Sequence, residues 1–342
     1  MKIVKLPKEH LEQFIACLDA FGEIHAPVRR GDESFAFTPV RDLSEIALDC
    51  TRTILPLKKY FFRPTEVMFN FSVQKGYEVP VEEADRRLII FGAHPCDIHG
   101  LKILDIVLGG RYADSYYFTR RNQAAIIGLD CIPDEFCFCQ STGTDFVDDG
   151  FDLFLSDIDG SYLVRVGTSL GDDMVTAAYG LFREVEQRDR EAYKARSVQR
   201  RERFQAEIPL QDFPEIMDLE YDNELWQGVG EKCLSCGTCS MVCPTCYCYA
   251  VFDELHLDIH SGQRKRRWDS CLFKDYALVA GGHNFRADRS SRVKNRYFHK
   301  QRGFVSQYGR PSCVGCGRCI VYCPAGIDIL DVVRKLRSET RA

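Results

Sequence analysis

The chain has 342 residues, 45% hydrophobic and 28% charged, with a net charge of −5. That is the composition of a soluble globular protein of about two domains. Its acidic balance argues against nucleic acid as the main partner, because phosphate recognition needs a basic surface.

The N-terminal stretch MKIVKLPKEHLEQFIACLDAFG lacks the apolar run of a signal peptide, and no segment approaches 18 consecutive apolar residues. The expectation is a cytoplasmic chain without a membrane span. After Pro7, residues Leu11, Phe14, Ile15, Leu18 and Phe21 share one helical face, and Gly22 is a natural stop. RRLIIFGAHPCDIHGLKILDIV predicts a buried strand, Leu88 to Phe91, then a helix carrying Ile98, Leu101 and Leu104. AAIIGLDC, 124–131, is a second short strand ending in a cysteine. Strands from Phe151 to Leu155 and from Tyr162 to Val166 flank Asp159-Gly160, a hairpin turn pair. These signals predict an α/β domain over 1–180. Dense alternating charge makes 181–219 a solvated helical linker. From 220 to 342 the expectation is a mostly helical, ferredoxin-like domain. VFDELHLDIH and WDSCLFKDYALVAGG read as helical, and Ile329, Val332, Val333 and Leu336 mark a closing helix.

The 17 cysteines decide the chemistry. A reducing compartment disfavours disulfides, so metal ligation is the default reading. Cys233, Cys236, Cys239 and Cys243 precede Pro244; Cys313, Cys316, Cys319 and Cys323 precede Pro324. Both spell C-x2-C-x2-C-x3-C-P. Three thiolates on one tight loop reach three corners of a cubane cluster, and the fourth cysteine of such a run ligates the other cluster. One [4Fe-4S] cluster therefore takes Cys233, Cys236, Cys239 and Cys323, and a second takes Cys313, Cys316, Cys319 and Cys243. Zinc sites pair two C-x2-C knuckles instead. The 69 residues between Cys243 and Cys313 exceed what a compact bacterial ferredoxin needs.

Cys96, Cys131, Cys137 and Cys139 form a weaker set. Cys96 and Cys131 each follow a predicted strand, and strand ends of an α/β sheet converge on one edge. Spacing alone leaves open a third [4Fe-4S] cluster, buried free thiols, or zinc. Cys246, Cys248 and Cys271 are one short of a closed tetrahedral site, so packing is the preferred reading for them, as it is for Cys17 and Cys50. RKRR, 264–267, reads as a solvated face or a docking surface for an acidic partner. GGHNFRADRSSRVKNRYFHKQ adds basic residues before the second motif, where positive charge would raise a cluster potential. His94 and His99 flank Cys96 as structural residues. No G-x-G-x-x-G, P-loop, H-E-x-x-H or G-x-S-x-G occurs, so no catalytic constellation accompanies the thiols.

The runs CPTCYCYAVFD, RRWDSC, AGGHNFR, RYFHK and CVGCGRC, with APVRRGD, HPCDIHG and FCFCQSTGTD, resemble the iron–sulfur beta subunit of cytosolic sulfhydrogenases and, equally, the iron–sulfur dicluster subunit of anaerobic sulfite reductase. The resemblance covers most of the chain. It implies an electron relay between two partners. One is an FAD- and [2Fe-2S]-containing subunit that binds NAD(P)H. The other is a catalytic module: a hydrogenase, a sulfite reductase or a heterodisulfide-reductase-like assembly. It also implies a third cluster on Cys96, Cys131, Cys137 and Cys139. The N-terminal half further resembles the flavin-binding beta subunit of deazaflavin-reducing hydrogenases, so a flavin there is an implication of likeness alone. The competing readings are an autonomous reductase of sulfur or disulfide substrates, which would turn over in isolation, and a zinc-stabilised scaffold, which would be colourless.

Overall fold

A computed structural model describes residues 2–80 and 87–339. Its strands, in chain order, are β1 (Ile3–Pro7), β2 (Glu23–Arg29), β3 (Phe35–Pro39), β4 (Thr65–Ser72), β5 (Gly76–Glu78), β6 (Leu88–Ala93), β7 (Ala124–Leu129), β8 (Leu153–Asp157), β9 (Ser161–Val166), β10 (Tyr249–Leu255) and β11 (Ser261–Trp268). Seven of them form a mixed sheet in the order β1-β9-β8-β7-β6-β2-β3. The central strands β2, β6, β7 and β8 run parallel. LIIFGA and AAIIGL are apolar throughout because both faces of these strands are covered.

One face of this sheet packs on the helix Leu11–Leu18, which buries Leu11, Phe14, Ile15 and Leu18 as the periodicity predicts. Phe21 lies beyond its end. The other face carries the helix Pro95–Leu108, whose proline sits at its start, where no amide donor is needed. Asp159 turns the β8–β9 hairpin with φ +69°. β1 has no counterpart in the predicted elements. It pairs antiparallel with β9, from Ile3 opposite Arg165 to Pro7 opposite Ser161, and ends at a proline as an edge strand can. Cys50 lies in a loop and packs with Phe35 and Ala47, as the packing reading expects.

The helix Gln187–Glu202 falls inside the predicted charged linker. Reciprocal bonds between Glu186 and Asp189 cap its start. Lys5 Nζ donates to Asp189 at 2.8 Å, and Arg200 Nη1 donates to the Asp145 carbonyl at 2.8 Å. The helix is thus fastened to the α/β half, with its other faces in solvent.

The main correction concerns VFDELHLDIH, whose first five residues are strand and whose last five form a turn, not helix. β10 and β11 form a hairpin that adds to β4 and β5 in a second, antiparallel sheet, ordered β10-β11-β4-β5. Charge supports its register: Asp253 lies opposite Arg264, and Glu254, opposite Gln263, reaches diagonally to Lys265, each bridged at 2.7 to 2.8 Å. β11, SGQRKRRW, is almost wholly polar, and in β10 Val251-Phe252 and Asp253-Glu254 come as pairs, so neither strand shows the apolar alternation that signals one. RKRR is accordingly no free basic patch. Arg266 is buried between Glu66 and Asp114, and Arg267 lies over the Phe252 ring. The sheet also hydrogen-bonds residues on either side of the boundary expected near 220.

The remaining core gathers Phe213, Met217, Trp226, Val229 and Val293 around the closing helix Ile329–Glu339, which buries Val332, Val333 and Leu336. Residues 340–342 of that predicted helix lie outside the described residues. No helix among the described residues is long and apolar enough to cross a membrane.

Candidate metal centre

The two cysteine motifs fold alike, residue for residue. Ser235 and Gly315, each two residues after the first cysteine, have φ +53° and +61°. Gly237 and Gly317, each just after the second cysteine, have φ +73° and +71°. These left-handed residues curl the chain around the thiols, and each second glycine opens a single helical turn, Thr238–Met241 or Arg318–Val321. The two turns pack on each other.

All eight motif cysteines line one cavity of about 980 Å³, counted with its opening to solvent. Among the described residues, no three His, Cys, Asp or Glu side chains converge on a single-ion site. The thiols ring a space instead. Burial raises Cys239, with Cys233, Cys243 and Cys323 as its charged neighbours. Burial likewise raises Cys319, whose neighbours are Cys313, Cys316 and Cys243. Each motif's fourth cysteine thus lies among the thiols of the other motif. Backbone amides reach the sulfurs too: Ser235 donates to Cys233 at 3.4 Å and Ile327 to Cys323 at 3.3 Å.

Cations offset this concentration of thiols. Burial opposes the charge of Arg296, but Cys239, Cys246, Cys319 and Cys243 raise its pKa overall; it donates to the Cys239 carbonyl at 2.9 Å. Lys300 is buried, donates to Thr245 at 2.6 Å, and is raised against burial by Cys243 and Cys246. Burial lowers Lys58 to about 8 despite Cys246 and Cys243, and it donates to the carbonyls of Ser240 and Cys246 at 3.0 and 3.1 Å. Arg318, inside the second motif, is 1% exposed and bound to Asp97 and Thr53. Arg296 and Lys300 fall in the basic run noted in the sequence. Lys58 and Arg318 were not foreseen; the only sequence signal was an arginine between two ligand cysteines.

The α/β half meets this centre directly. A Cβ on Gly100 would lie 2.7 Å from Pro244, so glycine is what lets the helix Pro95–Leu108 abut the residue after Cys243. The loop 136–139 braces the second motif: Phe138 N donates to the Gly315 carbonyl at 2.8 Å, and Thr144 Oγ1 to the Val314 carbonyl at 2.8 Å.

That loop also carries half of the weaker cysteine set. Cys139 is raised by burial and by Cys131 and Cys137, while burial pushes Cys131 up to about 12. Cys96 is raised by burial and has both Cys316 and Cys139 as neighbours. The structure therefore brings all four together, beside the second motif. Arg52 donates to Cys137 Sγ at 3.2 Å and pairs with Asp134, and Arg200 lies near Cys131 and Cys139. His94 is buried, which lowers it to about 4, and His99 Nε2 bonds the Phe146 carbonyl at 2.7 Å, so both stand as structural residues.

Two tight loops of thiols facing one another across a cavity are the arrangement of an iron–sulfur protein, and the sequence pattern of the 4Fe-4S dicluster domain family matches residues 232–327. The chain is 41% identical over 337 residues to sulfhydrogenase 2 subunit beta of Pyrococcus furiosus, a match covering 98% of this chain and 99% of the relative. The protein belongs to the sulfhydrogenase beta subunit family. No solved structure matches the chain.

Proposed function

We propose that the chain is an electron-transfer subunit in which Cys233, Cys236, Cys239 and Cys323 hold one [4Fe-4S] cluster and Cys313, Cys316, Cys319 and Cys243 hold another. The observation that carries this reading is that all eight motif cysteines line one cavity, with Cys323 beside Cys239 of the first motif and Cys243 beside Cys319 of the second. When bound, such clusters supply one-electron redox chemistry. The protein's part is to fix their spacing, exclude bulk water with the surrounding core, and offset thiolate charge with Arg296, Lys300 and Lys58.

Cys96, Cys131, Cys137 and Cys139 are proposed to hold a third cluster, supported by their mutual proximity and by the balancing Arg52 and Arg200. The closeness of Cys96 to Cys316 supports a third site next to the second motif. Cys236 at one end is exposed, and Cys131 at the other lines a separate groove of about 1260 Å³. Each end thus has a face for a redox partner. Since the relative is a sulfhydrogenase subunit, the chain is read as part of a multisubunit complex. The proposed partners are two. One is the NAD(P)H-binding subunit with FAD and a [2Fe-2S] cluster. The other is a hydrogenase, sulfite reductase or heterodisulfide-reductase-like module.

The test is iron and acid-labile sulfide in protein purified without oxygen. About eight iron per chain is expected for two clusters and about twelve for three. One or two iron without sulfide would overturn the reading.

A further inference from the structure

From Arg188 to Arg203 the chain carries seven basic residues against three acidic ones, although its net charge is −5. Packing does not account for this excess. The helix Gln187–Glu202 is held by Lys5 on Asp189 and by Arg200 on the Asp145 carbonyl, both at 2.8 Å. Arg190, Lys194 and Arg203 are exposed, and none of them is bonded to an acid among the described residues. Arg190 and Lys194, like Arg196 and Arg200, are equal charges one turn apart, a spacing that destabilises the bare helix and rewards an acidic neighbour. The same helix walls the groove of about 1260 Å³. Arg196, Arg200 and Arg203 line it together with residues 129–132, where β7 ends, and with Asp157 at the end of β8. The carboxyl ends of parallel strands are where open α/β sheets receive what they bind. Of the four cysteines proposed for the third cluster, Cys96, Cys137 and Cys139 are buried, and Cys131, in this groove, is the partly exposed one.

We propose that this helix and groove dock a soluble, acidic one-electron carrier protein, which exchanges its electron with the centre that Cys131 serves. The proposal rests on the third-cluster reading above. One electron leaves the carrier and one oxidised centre takes it up; no bond forms or breaks. Charge complementarity of this kind steers encounter and raises association rates, which suits a partner that must come and go. A permanent subunit contact is more apolar. The exposed apolar side chains that would suit one stand elsewhere, with Val73, Tyr77, Leu257 and Ile259 at the tips of the second sheet. Leu48 and Ile132 give the groove only a small apolar centre inside its charged rim.

The test mixes the intact, anoxically purified chain, oxidised, with a reduced acidic plant-type [2Fe-2S] ferredoxin in a stopped-flow instrument. Electron transfer is expected to be second order and to slow as salt is raised. The triple variant Arg190→Glu, Lys194→Glu and Arg203→Glu is expected to keep its iron and to react about tenfold or more slowly at low salt. The same charge reversal at exposed Lys75, Lys274 and Lys335 should change the rate by less than about threefold. Carbodiimide cross-linking of the unmodified pair needs no variant: Lys194, the one lysine of the helix, is expected to couple to the ferredoxin's carboxylates. A rate indifferent to the triple reversal, an equal loss from the second set, or cross-links that miss Lys194 would each overturn the docking site while the iron count stands. About eight iron per chain instead of twelve would overturn the third-cluster reading, and the electron step with it, whatever the cross-links show.

Discussion

The two cysteine motifs share one backbone but not one environment. Leu234 in the first is 60% exposed, whereas its counterpart Val314 is 2% exposed. Thr238 is half-buried; its counterpart Arg318 is fully enclosed and paired with Asp97. Gly237 is backed by Phe273 and Ser270 from the segment between the motifs, whereas Gly315 and Gly317 press on residues 136–139 of the α/β half. Identical spacing therefore shapes the two loops alike, while their neighbours set how enclosed each is: the first motif borders solvent, and the second is pressed against the α/β half.

The largest break in this comparison is expected at Arg318. Arg318→Met leaves Asp97 buried without its partner, which costs about 3–5 kcal/mol, whereas Thr238→Ala at the matching position changes stability by about 0.5 kcal/mol or less. Chemical denaturation of the two variants checks the contrast. Next comes Gly315→Ala. Its new Cβ would lie 2.5 Å from Cys139 N and Phe138 C, at φ +61°. The expected loss is about 2–4 kcal/mol, with reduced iron content. Ser235→Ala, at the twin position with φ +53° already occupied by a side chain, should keep its iron and lose only the hydrogen bond that Arg292 donates to Ser235 Oγ at 3.2 Å, about 1 kcal/mol. Melting temperature and iron analysis decide it.

Lys300 sharpens the comparison electrostatically, since its thiol neighbours are Cys243, Cys246 and Cys313. Lys300→Met should lower the potential of the second centre by on the order of 100 mV, the scale of one buried charge at an effective dielectric of about 20. The first centre should shift less. Potentiometric titration followed by electron paramagnetic resonance resolves the two. The smallest effect is kinetic: an iron chelator should strip the centre bearing exposed Cys236 before the one bearing Cys316, giving biphasic iron release.

Much of this was legible in the sequence because its signals are local. Both motifs, the apolar strands β6 and β7, the Asp159-Gly160 turn and the face of the helix Leu11–Leu18 are each written within a few residues. What was missed depends on distant partners. β1 is identifiable only through β9, and β10 only through salt bridges to β11 and the pairing of β11 with β4. Lys58 lies 182 residues from Ser240, whose carbonyl it binds. The clustering of Cys96 with Cys316 is equally non-local; strand-end convergence pointed to the α/β half of it but not to the motif across from it.

The sheet shared by β4 and β11 has a mechanical meaning. Seven residue pairs stitch sequence from the first third of the chain to sequence between the motifs. Such a seam couples the halves through one continuous hydrogen-bonded ladder, so pulling them apart means unzipping that ladder pair by pair.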